Sequence, residues 1–152
     1  MPRQPLDGRV VLVTGASRRI AIGSAIARRV VDDGASVMPH SWSAHDEQQP
    51  WGADPGGADA LVHELRDRGG QVEHVEADFA DRLAPAAVVG AALEAFGRVD
   101  AVVANHARSS AQSLEDLTAD EVDLNYAVNT RATLLLVQAF AARHDRVAVL
   151  PD

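Results

Sequence analysis

Neither cysteine nor lysine occurs among the 152 residues, and aromatic side chains are scarce: two Trp, one Tyr and three Phe. Without cysteine there is no disulfide framework and no thiolate metal site, which suits a reducing compartment and sets the expectation of a cytoplasmic protein. No run approaches the roughly 18 apolar residues of a membrane span, and Met1–Arg9 holds no apolar core of signal-peptide length, so no membrane partner is expected. All 14 basic residues are Arg, against 22 acidic ones, a net charge of −8. Nucleic-acid binding would then demand a local basic patch, and the sequence has none. What the chain does have is 47% hydrophobic and 24% charged residues, a balance that suits one compact domain over residues 1–152.

Strand and helix patterns alternate along that domain. Arg9 to Thr14 is a short β-branched run closed by Gly15, the pattern of a strand buried on both faces. From Gly23 the apolar residues Ile26, Ala27, Val30 and Val31 recur at helical spacing, and Gly34 stands where a helix stops. Ala35 to His40 reads as a second, weaker strand, with Pro39 implying that it is frayed or that the proline lies near the strand end. Ser41 to Gly57 reads as a long loop, since it holds both Trp together with Pro50, Pro55 and three Gly. A helix through Leu61 and Leu65 leads to a strand over Gln71 to Ala77. A helix from Pro85 to Phe96 leads to a strand over Val99 to Ala104. A longer helix over 118–143 precedes a closing strand from Arg146 to Leu150. Five strands and four helices in this order imply parallel pairing through crossovers, hence a doubly wound α/β sheet in three α/β/α layers.

In such a sheet the binding crevice lies beyond the carboxyl ends of the strands, where the first strand passes to its helix. Here that passage reads Thr14-Gly-Ala-Ser-Arg-Arg-Ile-Ala-Ile-Gly23. Glycine lets backbone come close to a phosphate, and the N-terminus of the next helix offers unpaired N–H groups and partial positive charge to an anion. A tight turn with no ligand is the other reading of the same residues.

These residues carry a family resemblance: over its whole length the chain resembles the N-terminal part of a short-chain dehydrogenase/reductase, a Rossmann-like fold. The family's turn is Thr-Gly-x-x-x-Gly-x-Gly; with Gly23 on its third glycine, Ala21 falls on the second and Arg19-Ile20 is an insertion. The resemblance implies a nicotinamide dinucleotide held by Gly15, Ser17, Arg18, Arg19, Ile22 and Gly23. It also implies that Asp78, followed by Phe79, meets the adenine, and that Asn105-His106-Ala107 supports the sheet beside the cofactor. Asn129 falls on the Asn that holds a water in the family's proton relay, the one catalytic role found in this chain. From local sequence alone Asp78 is equally a turn former and Asn105 a strand-end cap. The family's acidic position after the second strand falls on Ser41, where no acid repels a 2′-phosphate. With Arg18 and Arg19 nearby, NADP(H) is favoured over NAD(H), the other reading being that both Arg are solvated loop charges.

The family's proton donor is a Tyr whose pKa a neighbouring Lys lowers, in Tyr-x-x-x-Lys, with a Ser just past the fifth strand. Tyr126, the single Tyr, has Thr130 at i+4 and reads as a packing residue. No Lys exists to pair with it, and Val149-Leu-Pro-Asp152 offers no Ser. The expectation is a truncated sheet, incomplete at its C-terminal edge. It would belong to an NADP(H)-dependent oxidoreductase resembling the 3-oxoacyl-carrier-protein reductase branch, and would be inactive as an isolated chain. A small carbonyl or alcohol substrate would enter only if the missing half is supplied, and helix 118–143 would join subunits of a homo-oligomer. The competing readings are a non-catalytic dinucleotide-binding or interaction module, a structural remnant that binds nothing, and a SAM-dependent methyltransferase. The last wants an acid where Ser41 stands. The six His show neither i,i+4 pairing nor a carboxylate at ligand spacing, so no metal site is expected.

Overall fold

The structure is a computed structural model that describes residues 4–143. Strand β1 (Val10–Val13) passes through the glycine-containing loop into helix α1 (Ile22–Asp32), followed by β2 (Ser36–Ser41), α2 (Ser43–Glu47), α3 (Gly57–Asp67) and β3 (Val75–Glu76). Then come α4 (Ala84–Phe96), β4 (Ala101–Val103) and α5 (Ala119–Asn125), which runs through a π-helical turn at Tyr126–Arg131 into α6 (Ala132–Ala141). The strands lie in the order β3-β2-β1-β4, all parallel, with Val13 opposite Pro39 on one side and Val103 on the other.

Alternation along β1 and β2 explains why β1 is apolar throughout and β2 is apolar over Val37–Pro39. Val11, Val13 and Val37 point to one face, where Val30 and Val31 of α1 and Leu61 and Leu65 of α3 close a core. Leu12 and Met38 point to the other face, against Val88, Val89 and Ala92 of α4 and Leu136 of α6. A period of two with both faces covered demands an uninterrupted hydrophobic run. Burial of each large side chain contributes about 1.5–3 kcal/mol, and that packing fixes the carboxyl ends of β1, β2 and β4 side by side.

Terminators fall where the sequence places them. Gly34 follows α1 at φ +93° and Gly97 caps α4 at φ +75°, while Pro85 occupies the first turn of α4. Thr118 caps α5 by accepting the Glu121 N–H at 3.2 Å.

Four expectations change. Pro39 does not fray β2, because it lies fully buried opposite Val13 in the strand interior. Its missing N–H is felt on the β3 side, where pairing lapses between the bridge Val37–Val72 and the pair His40–Val75. β3 is therefore two residues long rather than the run from Gln71 to Ala77. The 41–57 segment is not all loop: α2 forms in it, its Ser43 N–H capped at 2.8 Å by Glu76 of β3, a partner remote in sequence. The single long helix is split by the π-helical turn. The expected strand Arg146–Leu150 lies outside the described residues. Among the described residues no helix is long and apolar enough to cross a membrane.

Candidate active site

An open cleft of about 630 Å³ lies past the carboxyl ends of β1, β2 and β4. β1 hands its chain to β2 on one side and has β4 on the other, so this is the point where the strand order reverses. Thr14, fully buried at the end of β1, ties the two sides together. Its hydroxyl accepts the N–H of Asn105 (3.0 Å) and of His106 (3.3 Å) and lies within hydrogen-bond distance of both the Val103 carbonyl (3.2 Å) and Nδ1 of His106 (2.7 Å). Asn105 returns its amide Nδ2 to the carbonyls of Thr14 (3.2 Å) and Gly15 (3.1 Å).

Two glycines follow from close approach. At Gly15 φ is +71°, and a Cβ would stand 2.7 Å from the His106 Cα. At Gly23 a Cβ would strike the Gly15 carbonyl oxygen and come within 2.8 Å of Asn105 Nδ2. Between them the loop bows outward, with Ile20 at 91% and Ile22 at 73% exposure. This outward course accommodates the Cβ of Ala21 where the usual turn has glycine. Ser24 donates its hydroxyl to the Arg18 carbonyl and closes the loop on itself.

The N-terminus of α1 opens on the cleft without a cap. Ala21 offers no side-chain acceptor, the first turn holds no acid, and the first intrahelical bond runs from Ala25 N–H to Ala21 O (3.1 Å). The N–H groups of Ile22, Gly23 and Ser24 therefore have no partner within the helix, and the positive end of the helix dipole is uncompensated.

The floor is a stack of rings. Phe79 lies parallel to His40 at 4.1 Å between centroids and meets His106 edge-on at 4.4 Å. Nε2 of His40 donates to the Ala77 carbonyl (2.9 Å), which leaves Nδ1 to accept the Gly15 N–H (3.4 Å). Burial pushes the His40 imidazole down to about 4, and burial lowers His106 as well. Both rings are neutral at physiological pH and serve as hydrogen-bonding struts.

The walls are charged. Arg18 lays its guanidinium over the Trp51 ring, 5.2 Å from the centroid, with Nε 3.6 Å from Asp46 Oδ1. Arg108 pairs through Nε (3.2 Å) and Nη2 (3.0 Å) with the two oxygens of Glu121. Its Nη1 reaches His45 Nδ1 of α2 at 3.4 Å.

The sequence model of the short chain dehydrogenase family matches residues 9–146. This chain belongs to the short-chain dehydrogenase family. An uncharacterized oxidoreductase from Methylorubrum extorquens is 33% identical over 139 residues, 91% of this chain and 51% of that protein. The structure of a Burkholderia cenocepacia short chain dehydrogenase in complex with NADP superposes with a TM-score of 0.77 at 34% identity, covering 93% of this chain and 52% of the other. A blue fluorescent protein from a metagenomic library, in complex with NADPH, gives a TM-score of 0.77 at 33% identity over 92% and 53% of the two chains. The chain thus spans about half the length of the relatives it matches.

Of the residues this chain was expected to use, Gly15, Ser17, Arg18, Ile22, Asp78, Phe79, Asn105, His106 and Ala107 line the cleft. Asp78 also uses Oδ1 for a local turn, accepting the Ala80 N–H at 2.8 Å. Four others stand elsewhere. Gly23 packs its Cα behind Gly15 and leaves only its backbone N–H at the uncapped start of α1. Ser41 is fully buried and bonded to His74 Nε2 at 2.7 Å, so the strand-end position that was weighed for cofactor choice does not face the cleft. Arg19 turns away to Asp54, with its backbone N–H (3.1 Å), Nε (3.0 Å) and Nη2 (2.9 Å) all on that carboxylate. These bonds hold Asp54 well below the usual carboxylate range. Arg19 is thus an exposed loop charge paired with Asp54, and it does not line the cleft.

Asn129 spends its amide on the Arg108 backbone, accepting N–H at 2.7 Å and donating to O at 2.8 Å, while its own carbonyl takes the Thr133 hydroxyl at 2.9 Å. In this structure it positions the loop after β4. Sequence reasoning missed His40, Trp42, His45, Asp46, Trp51 and Arg108, all of which line the cleft. The density of Trp, His and Asp in 42–51 was the available signal.

Proposed function

We propose that residues 1–152 form a single dinucleotide-binding domain, the NADP(H)-binding portion of an oxidoreductase that moves hydride between nicotinamide and a carbonyl or alcohol carbon. The observation that carries this reading is the uncapped N-terminus of α1 opening on a cleft at the strand-order reversal. Backbone N–H groups of Ile22 and Gly23 there suit the pyrophosphate, since unpaired donors and a positive helix end bind anions. Arg18, a cleft-lining guanidinium held by Trp51 and by Asp46 at 3.6 Å, suits a 2′-phosphate. The NADP and NADPH complexes of the Burkholderia and metagenomic relatives support the same choice. When bound, the nicotinamide supplies or accepts the hydride. Around it, Phe79 and Asp78 line the adenosine side, and Asn105 and Thr14 keep the ends of β1 and β4 in register. Within this reaction class a 3-oxoacyl-carrier-protein substrate rests on family analogy alone.

Protonation of the substrate oxygen is a separate matter. A phenol titrates near pH 10 unless a cation lowers it, and the 152 residues hold one Tyr and no Lys. Tyr126 is 59% exposed and does not line the cleft. The chain is therefore expected to bind the dinucleotide without turning it over. Titration of the purified 152-residue chain with NADPH, followed by fluorescence of Trp42 and Trp51 at the cleft, is expected to give a saturable change, with NADH binding more weakly. Incubation with NADPH and a 3-oxoacyl thioester is expected to leave the NADPH absorbance unchanged. Saturable binding of neither dinucleotide overturns the cofactor reading, and sustained NADPH oxidation overturns the inactivity.

A further inference from the structure

We infer that Asp46 sets how strongly the cleft prefers a phosphorylated ribose, by holding a carboxylate against the Arg18 guanidinium. The inference rests on the NADP(H) reading above. Of the two guanidinium groups in the cleft wall, Arg108 is spent on Glu121 in a two-pronged pair. Arg18 makes no such two-pronged pair among the described residues, and its guanidinium carbon lies over Trp51, 5.2 Å from the ring centroid. Asp46 is the anion beside it. It is 6% exposed on α2, and its Oδ1 accepts the Trp51 indole N–H at 3.2 Å and stands 3.6 Å from Arg18 Nε. Its Oδ2 is buried with no hydrogen-bond partner.

A buried carboxylate with an idle oxygen is costly, so the group is not explained by packing alone. What it does is electrostatic. It tethers Trp51 and Arg18 in one wall, and it offsets the positive charge that a phosphate would seek. An incoming 2′-phosphate meets an Arg18 whose attraction the adjacent Asp46 carboxylate has already weakened, whereas an uncharged ribose hydroxyl gains little from Arg18 either way. The wild-type preference for NADP(H) is thereby held down, and the site remains open to NAD(H). Asp46 acts through Arg18 and is in this sense a positioning and specificity residue.

Asp46→Asn removes the charge and keeps an oxygen for the Trp51 N–H. In low salt it is expected to raise the ratio of NADH to NADPH dissociation constants about tenfold, chiefly by tightening NADPH, with the gain shrinking as salt is added. Asp46→Ser, which also offers an oxygen, is expected to move the ratio the same way, and far-ultraviolet circular dichroism checks that both variants are folded. In an Arg18→Gln background the Asp46→Asn change is expected to leave the ratio within about twofold, a null that a merely structural role would not produce. Folded variants whose ratio is unchanged or lower overturn the inference, as does an equal rise without Arg18. If the unsubstituted chain binds neither dinucleotide, the NADP(H) reading falls and takes this one with it, whereas binding of both with an unmoved ratio overturns this inference alone.

Discussion

Gly15→Ala is expected to cost about 2–4 kcal/mol of folding stability and to abolish NADPH binding. The residue has φ +71°, where an L side chain adds roughly 1 kcal/mol of backbone strain. The remainder comes from the new Cβ, 2.7 Å from His106 Cα, 2.9 Å from His106 N and 3.1 Å from the Asn105 carbonyl carbon. All three are backbone atoms, so no side chain can swing aside, and the loop after β4 must retreat. That retreat draws the N–H groups of Asn105 and His106 away from Thr14 Oγ1, which now holds them at 3.0 and 3.3 Å. Gly52→Ala is the control: φ is +66° but nothing stands within 4 Å, so only the strain of about 1 kcal/mol is expected. Urea unfolding of the two variants separates the terms, and equal losses would show that the close approach of loop and β4 carries no energy.

Acidification between pH 6.5 and 4 is expected to remove about 3 kcal/mol of stability through His40. In the unfolded chain this imidazole protonates near its ordinary 6.5, while in the folded chain burial delays protonation to about 4. Between those values the unfolded state binds more protons, so stability is full above pH 6.5 and falls as pH drops through the window. His74 and His106, also lowered by burial, act with the same sign. The carboxylates of Asp54, Glu64, Asp100 and Glu121 are held low by hydrogen bonds, chiefly to Arg, against an opposing burial that is the largest single influence at Asp100, and they lose their contribution only at lower pH. His40→Phe keeps a ring against Phe79 and removes the titration. Its unfolding free energy is expected to be lower at pH 8, because the Gly15 N–H and Ala77 carbonyl lose their partner, but flatter from pH 6.5 to 4. An unflattened profile would mean that His40 is accessible to solvent protons in the folded state.

The fold was legible because it is written in periodicity. β1 is apolar at every position and β2 over Val37–Pro39 since both faces are covered, and Gly34, Gly97 and Pro85 mark helix ends that local backbone geometry enforces. The site was legible wherever a motif is contiguous, as in Thr14–Gly15 and Asn105–Ala107. It was illegible where a partner lies far away in the chain. Glu76 caps α2 across 33 residues, so the helix that carries Asp46 leaves no local trace. Asp54 claims Arg19 across 35 residues, which turns an expected phosphate ligand into a brace for the loop. Ser41 was counted to the right strand end, yet period-two alternation aims it at His74 and leaves its neighbours His40 and Trp42 to face the cleft.

The central claim is a pyrophosphate held at the start of α1, and amide chemical-shift mapping of the chain with added NADPH tests it most directly. The largest shifts are expected at Gly15, Ser17, Ile22 and Gly23, with Gly69 and Gln71 at the opposite end of the sheet unmoved. Shifts centred on Gly69 and Gln71, or none at Ile22 and Gly23 at saturating NADPH, would contradict the account.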